Sequence, residues 1–133
     1  MHALRSLNLS KNGLGNAVLQ SLASSLIGVK SKSFSLDLSY NDFDCAGMLH
    51  LASYMATPTC CLERANLEWN QVGPVGCQHL ADALLLSERR TPMRMTELNL
   101  SFNKIGCDGF CTLIELLLND TGVNASSLQV SPG

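Results

Sequence analysis

The most reactive side chains in this 133-residue sequence are six cysteines: Cys45, Cys60, Cys61, Cys77, Cys107 and Cys111. Cysteine can bind a metal, form a disulfide or attack an electrophile, and each role needs a partner at a set distance. No Cys-x-x-Cys pair occurs, and no cysteine–histidine set has the spacing of zinc ligands. His50 and His79 lie 29 residues apart, which invites a paired metal site or a pH sensor. No Ser/His/Asp or Cys/His set converges, and no Gly-rich phosphate loop follows a strand. The sequons at Asn8, Asn99, Asn119 and Asn124 are short patterns that arise readily by chance. The expectation is no enzyme, no catalytic residue, no bound metal and no cofactor.

The elements that must position these residues repeat along the chain. Asn12, Asn41, Asn70 and Asn103 are spaced by 29, 29 and 33 residues. Each has apolar residues five and three positions before it: Leu7 and Leu9, Leu36 and Leu38, Ala65 and Leu67, Leu98 and Leu100. This period of two gives one apolar face on a strand. Each asparagine is followed two residues later by Leu14, Phe43, Val72 or Ile105. Seven residues after it, an i, i+3, i+4, i+7 stripe begins, the spacing of one helix face. The stripes run Leu19–Leu22–Ala23–Leu26, Met48–Leu51–Ala52–Met55, Cys77–Leu80–Ala81–Leu84 and Phe110–Leu113–Ile114–Leu117. A last strand-like piece, Leu128-Gln129-Val130, lies 30 residues past Leu98.

Each repeat therefore reads strand, turn, helix, return loop, with helices starting near Asn16, Cys45, Pro74 and Asp108. One unit cannot bury its own apolar face, but a stack can. At the turn, backbone groups lose their ladder partners, and an asparagine amide can donate to and accept from them. The asparagines should form a continuous internal row.

In this frame the cysteines lose their chemistry. Cys45 and Cys107 hold the same repeat position two repeats apart, beyond the reach of about 7 Å that a disulfide allows. Cys77 and Cys111 fall on or near the buried stripe, where cysteine acts as a small hydrophobe. All six are expected as reduced thiols. His50 and His79 align with Ser21 and Thr112 in a solvent-facing polar row. Gly47, Gly76 and Gly109 recur just before the stripe as turn or close-packing residues.

Composition narrows the function. Apolar residues make up 46% of the chain and charged residues 15%, so the chain can build a core. A formal charge of -2 offers no basic excess to a phosphate backbone, so nucleic acid is not expected as a partner. No apolar run reaches the roughly 18 residues of a membrane span. The first residues carry no secretory signal pattern, and a cytoplasmic location is expected.

The stretches LRSLNLSKNGL, FSLDLSYNDF, LERANLEWNQV and MTELNLSFNKI resemble the leucine-rich repeat consensus. The near-29 spacing with a full helix is similar to the ribonuclease-inhibitor-like subclass, which includes the repeat domains of NOD-like receptors. The resemblance spans residues 3–131. It implies an α/β fold: a short right-handed horseshoe segment of about four and a half repeats, with parallel strands on its concave face and helices on the convex one. One domain over 1–133 is expected, with repeats beginning near 4, 33, 62, 95 and 125. Ser33 and Ala125 replace the opening leucine, Ala65 replaces a core leucine, and the third repeat carries four extra residues. The subclass is typically intracellular and serves many protein partners, including GTPases in its Ran-activating members.

The concave face should carry the residues between the core leucines: Ser6, Asn8, Ser10; Ser35, Asp37, Ser39; Arg64, Asn66, Glu68; Glu97, Asn99, Ser101; and Ser127, Gln129, Ser131. Lys11, Tyr40, Trp69 and Phe102 each precede an asparagine, although aromatics are 5% of the chain. The rings either anchor a partner or pack on one another over the asparagine row; strict alternation points them inward. The expected partner-binding set is Asp37, Tyr40, Arg64, Asn66, Glu68, Trp69, Glu97, Asn99 and Phe102. Its acids favour a partner protein with a basic segment. A second candidate is the arginine-rich return loop from Ser87 to Arg94.

Three functions follow. The first is recognition of a protein or peptide on the concave face. The second is a structural segment of a longer repeat protein. The third is GTPase activation, for which no residue here offers a match. The first strand starts uncapped and the last one stops before a helix, so an excerpt of a longer solenoid, or self-association through the ends, is expected.

Overall fold

A computed structural model describes residues 5–27, 34–57, 60, 62–90, 97–118 and 128–129. Strand and helix alternate along the chain: β1 (Ser6–Asn8), α1 (Asn16–Leu26), β2 (Phe34–Asp37), α2 (Cys45–Met55), β3 (Leu62–Asn66), α3 (Gly73–Arg90), β4 (Glu97–Asn99), α4 (Gly106–Leu118) and β5 (Leu128–Gln129). The strands form one parallel sheet in sequence order, and each helix packs on the next. This is the α/β leucine-rich solenoid that the repeat implied.

Register follows the leucine column. Leu7 pairs with Leu36, Leu36 with Ala65, Ala65 with Leu98 and Leu98 with Leu128. An irregularity at Phe34/Ser35 absorbs one extra residue, because Phe34 faces Leu62 while Ser35 faces Arg64. Leu36, Leu38, Ala65, Leu67, Leu98 and Leu100 are buried, as are Phe43, Val72 and Ile105 after the turns. Of the expected repeat starts, 62 lies among the described residues, whereas 4, 33, 95 and 125 lie outside them, as do Ser127, Val130 and Ser131.

Helix starts agree with expectation at Asn16 and Cys45. The other two begin earlier, at Gly73 and Gly106, whose φ of +67° and +70° suits glycine. Asp44 caps α2: its Oδ1 accepts from Ala46 N at 2.9 Å and from Asn16 Nδ2 at 2.6 Å, which joins the cap to the preceding helix.

The loop expected from Ser87 onward is instead helix as far as Arg90, the end of an 18-residue α3, against 11 residues in α1 and α2. Leu84, Leu85, Leu86, Glu88, Arg89 and Arg90 are strong helix formers, and Pro92 is the first residue that prevents continuation. The rest of the loop, Thr91 to Arg94, lies outside the described residues.

The glycine column sets how closely the helices approach. A Cβ on Gly76 would sit 2.7 Å from Val72 Cγ1, 3.2 Å from Met48 Cγ and 3.4 Å from Cys45 Cα. A Cβ on Gly47 would strike Asn16 Oδ1 and lie 2.9 Å from Leu19 Cδ1. Gly109 meets its own Ile105 and the Pro74 backbone. These glycines are seats for the preceding helix. Val18 holds the same position in α1 and is 38% exposed.

The stripes are buried in α2 and, as far as described, in α3; in α1 only Leu22 is half-buried. The last repeat departs from expectation, since Phe110 is 52% and Ile114 42% exposed. Their counterparts Met48, Ala52, Cys77 and Ala81 are covered by the following helix, which α4 does not have among the described residues.

Candidate interaction face

The concave face is organised by the asparagine turns. Asn41 Oδ1 accepts from Asn12 N and Leu14 N at 3.0 and 3.2 Å, while its Nδ2 donates to Leu9 O, Leu38 O and Ser39 O. Asn70 repeats this with Asn41 N and Phe43 N at 3.0 and 3.1 Å, and with Leu38 O and Leu67 O at 2.9 and 3.0 Å. Asn103 accepts from Val72 N and donates to Leu67 O, Leu100 O and Ser101 O. Each amide therefore ties its own turn to that of the preceding repeat. Asn41, Asn70 and Asn103 are buried, and the exposed Asn12 donates only within its own turn.

The residue before each asparagine is left-handed: Lys11, Tyr40, Trp69 and Phe102 have φ of 58°, 59°, 57° and 60°. For a side chain with a Cβ this conformation costs about 1 kcal/mol or more. The asparagine bonds hold it in place. It also settles the direction of the rings, because strand alternation ends here and they swing outward. Tyr40 and Trp69 are 44% and 45% exposed, and Phe102 is half-buried.

The rings form one continuous stack. Tyr40 and Trp69 lie 5.7 Å apart at 21°, Trp69 and Phe102 4.2 Å apart at 6°, and Lys11 Nζ stands 5.3 Å from the Tyr40 centroid. The rings pack on one another, as one of the two readings expected, and Tyr40 and Trp69 remain exposed. Trp69 has a neighbouring ring on each side, so its edge is the part left open.

The strand floor below the rim is a shallow open concavity of about 460 Å³, lined by Asp37, Arg64, Asn66, Glu97 and Asn99 among others. Several of these polar groups already have a structural task. Asp37 Oδ1 accepts from Ser39 N and Oγ at 3.1 and 2.7 Å. Asn66 Oδ1 takes Glu68 N at 3.0 Å, and Asn99 Oδ1 takes Ser101 N at 3.0 Å. These side chains close the turn at the end of each strand. They also draw Ser39 and Ser101 inward, to 5% and 7% exposure, so these two serines leave the outward row expected for them.

Glu68 Oε2 takes Asn99 Nδ2 at 3.4 Å, and Arg64 Nε meets Glu97 Oε2 at 3.7 Å with both side chains more than half exposed. The structure thus gathers all nine expected residues along the strand face and its rim. Arg64, Glu68, Glu97 and the rings stay at least partly accessible to solvent. Asp37, Asn66 and Asn99 each commit an oxygen to the fold. The i, i+2 spacing of an Asp or Asn before a turn serine or glutamate was the signal for that second task.

The cysteines divide by burial. Cys77 is buried and its thiol is pushed up to about 12 by desolvation; Cys45 and Cys60 are half-buried. Cys111 does not follow the buried reading: it and Cys107 are exposed on α4. His50 and His79 are half-buried rather than fully solvent-facing. Among the described residues, no group of three His, Cys, Asp or Glu side chains could hold a metal ion, and no helix is long and apolar enough to cross a membrane.

A family model described as leucine-rich repeat matches residues 1–23 and 93–109. With the parallel sheet and asparagine row, this makes the chain a leucine-rich repeat protein. The human NACHT, LRR and PYD domains-containing protein 13 is 34% identical over 128 residues, which cover 96% of this chain and 12% of that protein. The mouse NACHT, LRR and PYD domains-containing protein 12 is 34% identical over 137 residues, covering 95% of this chain and 12% of its own length. The human protein 14 of the same series is 31% identical over 114 residues, covering 86% of this chain and 10% of that protein. The repeats belong to the NOD-like receptor type, and the chain spans about an eighth of the first two relatives.

Proposed function

We propose that this chain is a non-catalytic, cytoplasmic protein-interaction module that holds a partner segment against its concave strand face and aromatic rim. The observation that carries this reading is the Tyr40–Trp69–Phe102 stack. It is fixed in left-handed turns by buried asparagines and yet is half exposed beside a charged floor. A rigid aromatic edge costs little ordering entropy on binding, and aromatic residues dominate the energetics of protein interfaces. Asp37, Glu68 and Glu97 outnumber Arg64 on the floor. This balance favours a partner segment with lysine or arginine, and an on-rate that falls as salt rises.

The test is affinity capture followed by titration of the captured partner against wild type, Trp69→Ala and Glu68→Lys. Loss of binding in both variants, with a stability loss in Trp69→Ala no larger than the roughly 1–2 kcal/mol expected for a half-exposed ring, supports the reading. Wild-type affinity in both variants overturns it.

A second reading is a stacking segment within a longer repeat protein, and it has its own support. Phe110 and Ile114 are exposed where their counterparts in α2 and α3 are covered, and the relatives are far longer than this chain. Binding on the concave face and stacking at the ends use different surfaces and are compatible.

A further inference from the structure

Cys107 and Cys111 stand one helical turn apart in α4, and they are the two exposed cysteines among the described residues. Their counterparts in the other repeats are Asn16, Cys45 and Pro74, and Gln20, Leu49 and Gln78, so the thiol pair occurs in this repeat alone. Residues at i and i+4 on a helix share a face, with Cβ atoms about 5–6 Å apart. A relaxed disulfide needs Cβ atoms about 3.5–4.5 Å apart, so a direct S–S bond would require the helix to distort.

One soft ion between the sulfurs removes that mismatch. Metal–sulfur bonds of about 2.3 Å place two sulfurs roughly 3.8 to 4.6 Å apart, from the tetrahedral to the linear arrangement. Side chains one helical turn apart span that distance without moving the backbone. No third ligand joins them among the described residues, so an ion that requires four donors is poorly served. An ion content with two thiolates is well served, and soft thiolate donors select Cu(I).

We propose that Cys107 and Cys111 form a two-thiolate site for a soft, low-coordinate ion of the Cu(I) class. Binding forms two Cu–S bonds and releases two thiol protons to solvent, and no electron is transferred. Occupancy therefore strengthens as pH rises, and it staples the first two turns of α4.

The experiment titrates Cu(I) into the reduced full chain under anaerobic conditions, in competition with the chromogenic chelator bicinchoninate. One equivalent is expected to be withdrawn by the wild type. Cys107→Ser and Cys111→Ser should each bind at least tenfold more weakly, with unchanged far-UV circular dichroism. Cys45→Ser and the Cys60→Ser/Cys61→Ser double variant should match the wild type. Failure of the wild type to withdraw Cu(I) would overturn the assignment. So would undiminished uptake by either α4 variant, or loss of uptake in the Cys60/Cys61 variant.

Discussion

Asn70 and Trp69 are neighbours in the chain and opposites in the fold. Asn70 is a polar side chain at 4% exposure, and Trp69 is the largest apolar side chain in the sequence at 45%. Hydropathy alone would exchange them. The turn decides the outcome: it leaves backbone donors and acceptors buried that only an amide can serve, and its left-handed residue must point away from the core. The asparagine column therefore carries stability, and the aromatic column is free to carry recognition.

The largest effect is expected for Asn70→Ala. It removes the acceptor for Asn41 N and Phe43 N and the donor for Leu38 O and Leu67 O. Each buried group left unpaired costs about 1–3 kcal/mol, so a loss of 3 kcal/mol or more is expected in denaturant unfolding. Asn12→Ala, at the exposed end of the row, should cost under half as much. Equal losses at the two positions would mean that the row does not act through burial.

The helix layer offers a similar contrast between Gly76 and Val18. Gly76→Ala puts a Cβ against Val72, Met48 and the Cys45 backbone, and overpacking of this kind costs about 1–3 kcal/mol. Val18→Ala, at the equivalent position with no helix against it among the described residues, should change stability by less than 1 kcal/mol. Urea melts of the two variants decide it.

Much of this was legible in the sequence. Asparagine spacing and period-two leucines gave the strands, their register and the buried amide row, because those patterns answer to one local requirement each. The direction of Tyr40, Trp69 and Phe102 was not legible, since alternation holds only while the backbone stays extended, and φ turns positive at these residues. The inward turn of Ser39 and Ser101 was missed because an Asx hydrogen bond competes with the pleat. The exposure of Phe110, Ile114 and Cys111 was missed because a stripe marks which face is apolar, not whether a neighbour covers it. The helix through Arg90 was hidden by the charge of Ser87-Glu88-Arg89-Arg90, which resembles a solvated loop but favours helix.

Cys77 sharpens the contrast between covered and uncovered thiols through pH. Its folded pKa of about 12 lies above the ordinary 9.0, so the native state favours the neutral thiol. The stabilisation is fully present below pH 9 and is lost as pH rises through 12. By pH 10 the loss amounts to about 1.4 kcal/mol. Cys77→Ala should flatten that part of the stability–pH curve. An identical slope in the variant and the wild type would remove Cys77 from the account.

Trp69→Ala separates the two roles of the rim. The side chain is half exposed and stacked on both faces, so its removal forfeits two ring contacts worth about 0.5–1.5 kcal/mol each beyond area. Partial exposure keeps the total stability loss near 1–2 kcal/mol, against roughly 3–5 kcal/mol for a buried tryptophan. Binding of the captured partner should weaken by about 2 kcal/mol or more. A stability loss in the buried range with intact binding would mean that the stack only packs.

The smallest expected effect is at Arg64 and Glu97, and it tests whether the charged floor has a role in folding at all. Their closest atoms are 3.7 Å apart and their side chains are 57% and 56% exposed. Exposed pairs of this kind contribute about 0.2–1 kcal/mol, and salt screens most of that. Glu97→Gln should therefore move the melting transition very little, and still less at 0.5 M salt. On binding the two sides of the pair should diverge. Glu97→Gln removes an acid that attracts a basic partner and should slow association, whereas Arg64→Gln removes a repelling charge and should speed it. Both changes should fade as ionic strength rises. If both substitutions slow association equally at every salt concentration, the floor acts through the shape of the ion pair rather than through its field. The preference for a basic partner would then have to be given up, although the aromatic rim could stand without it.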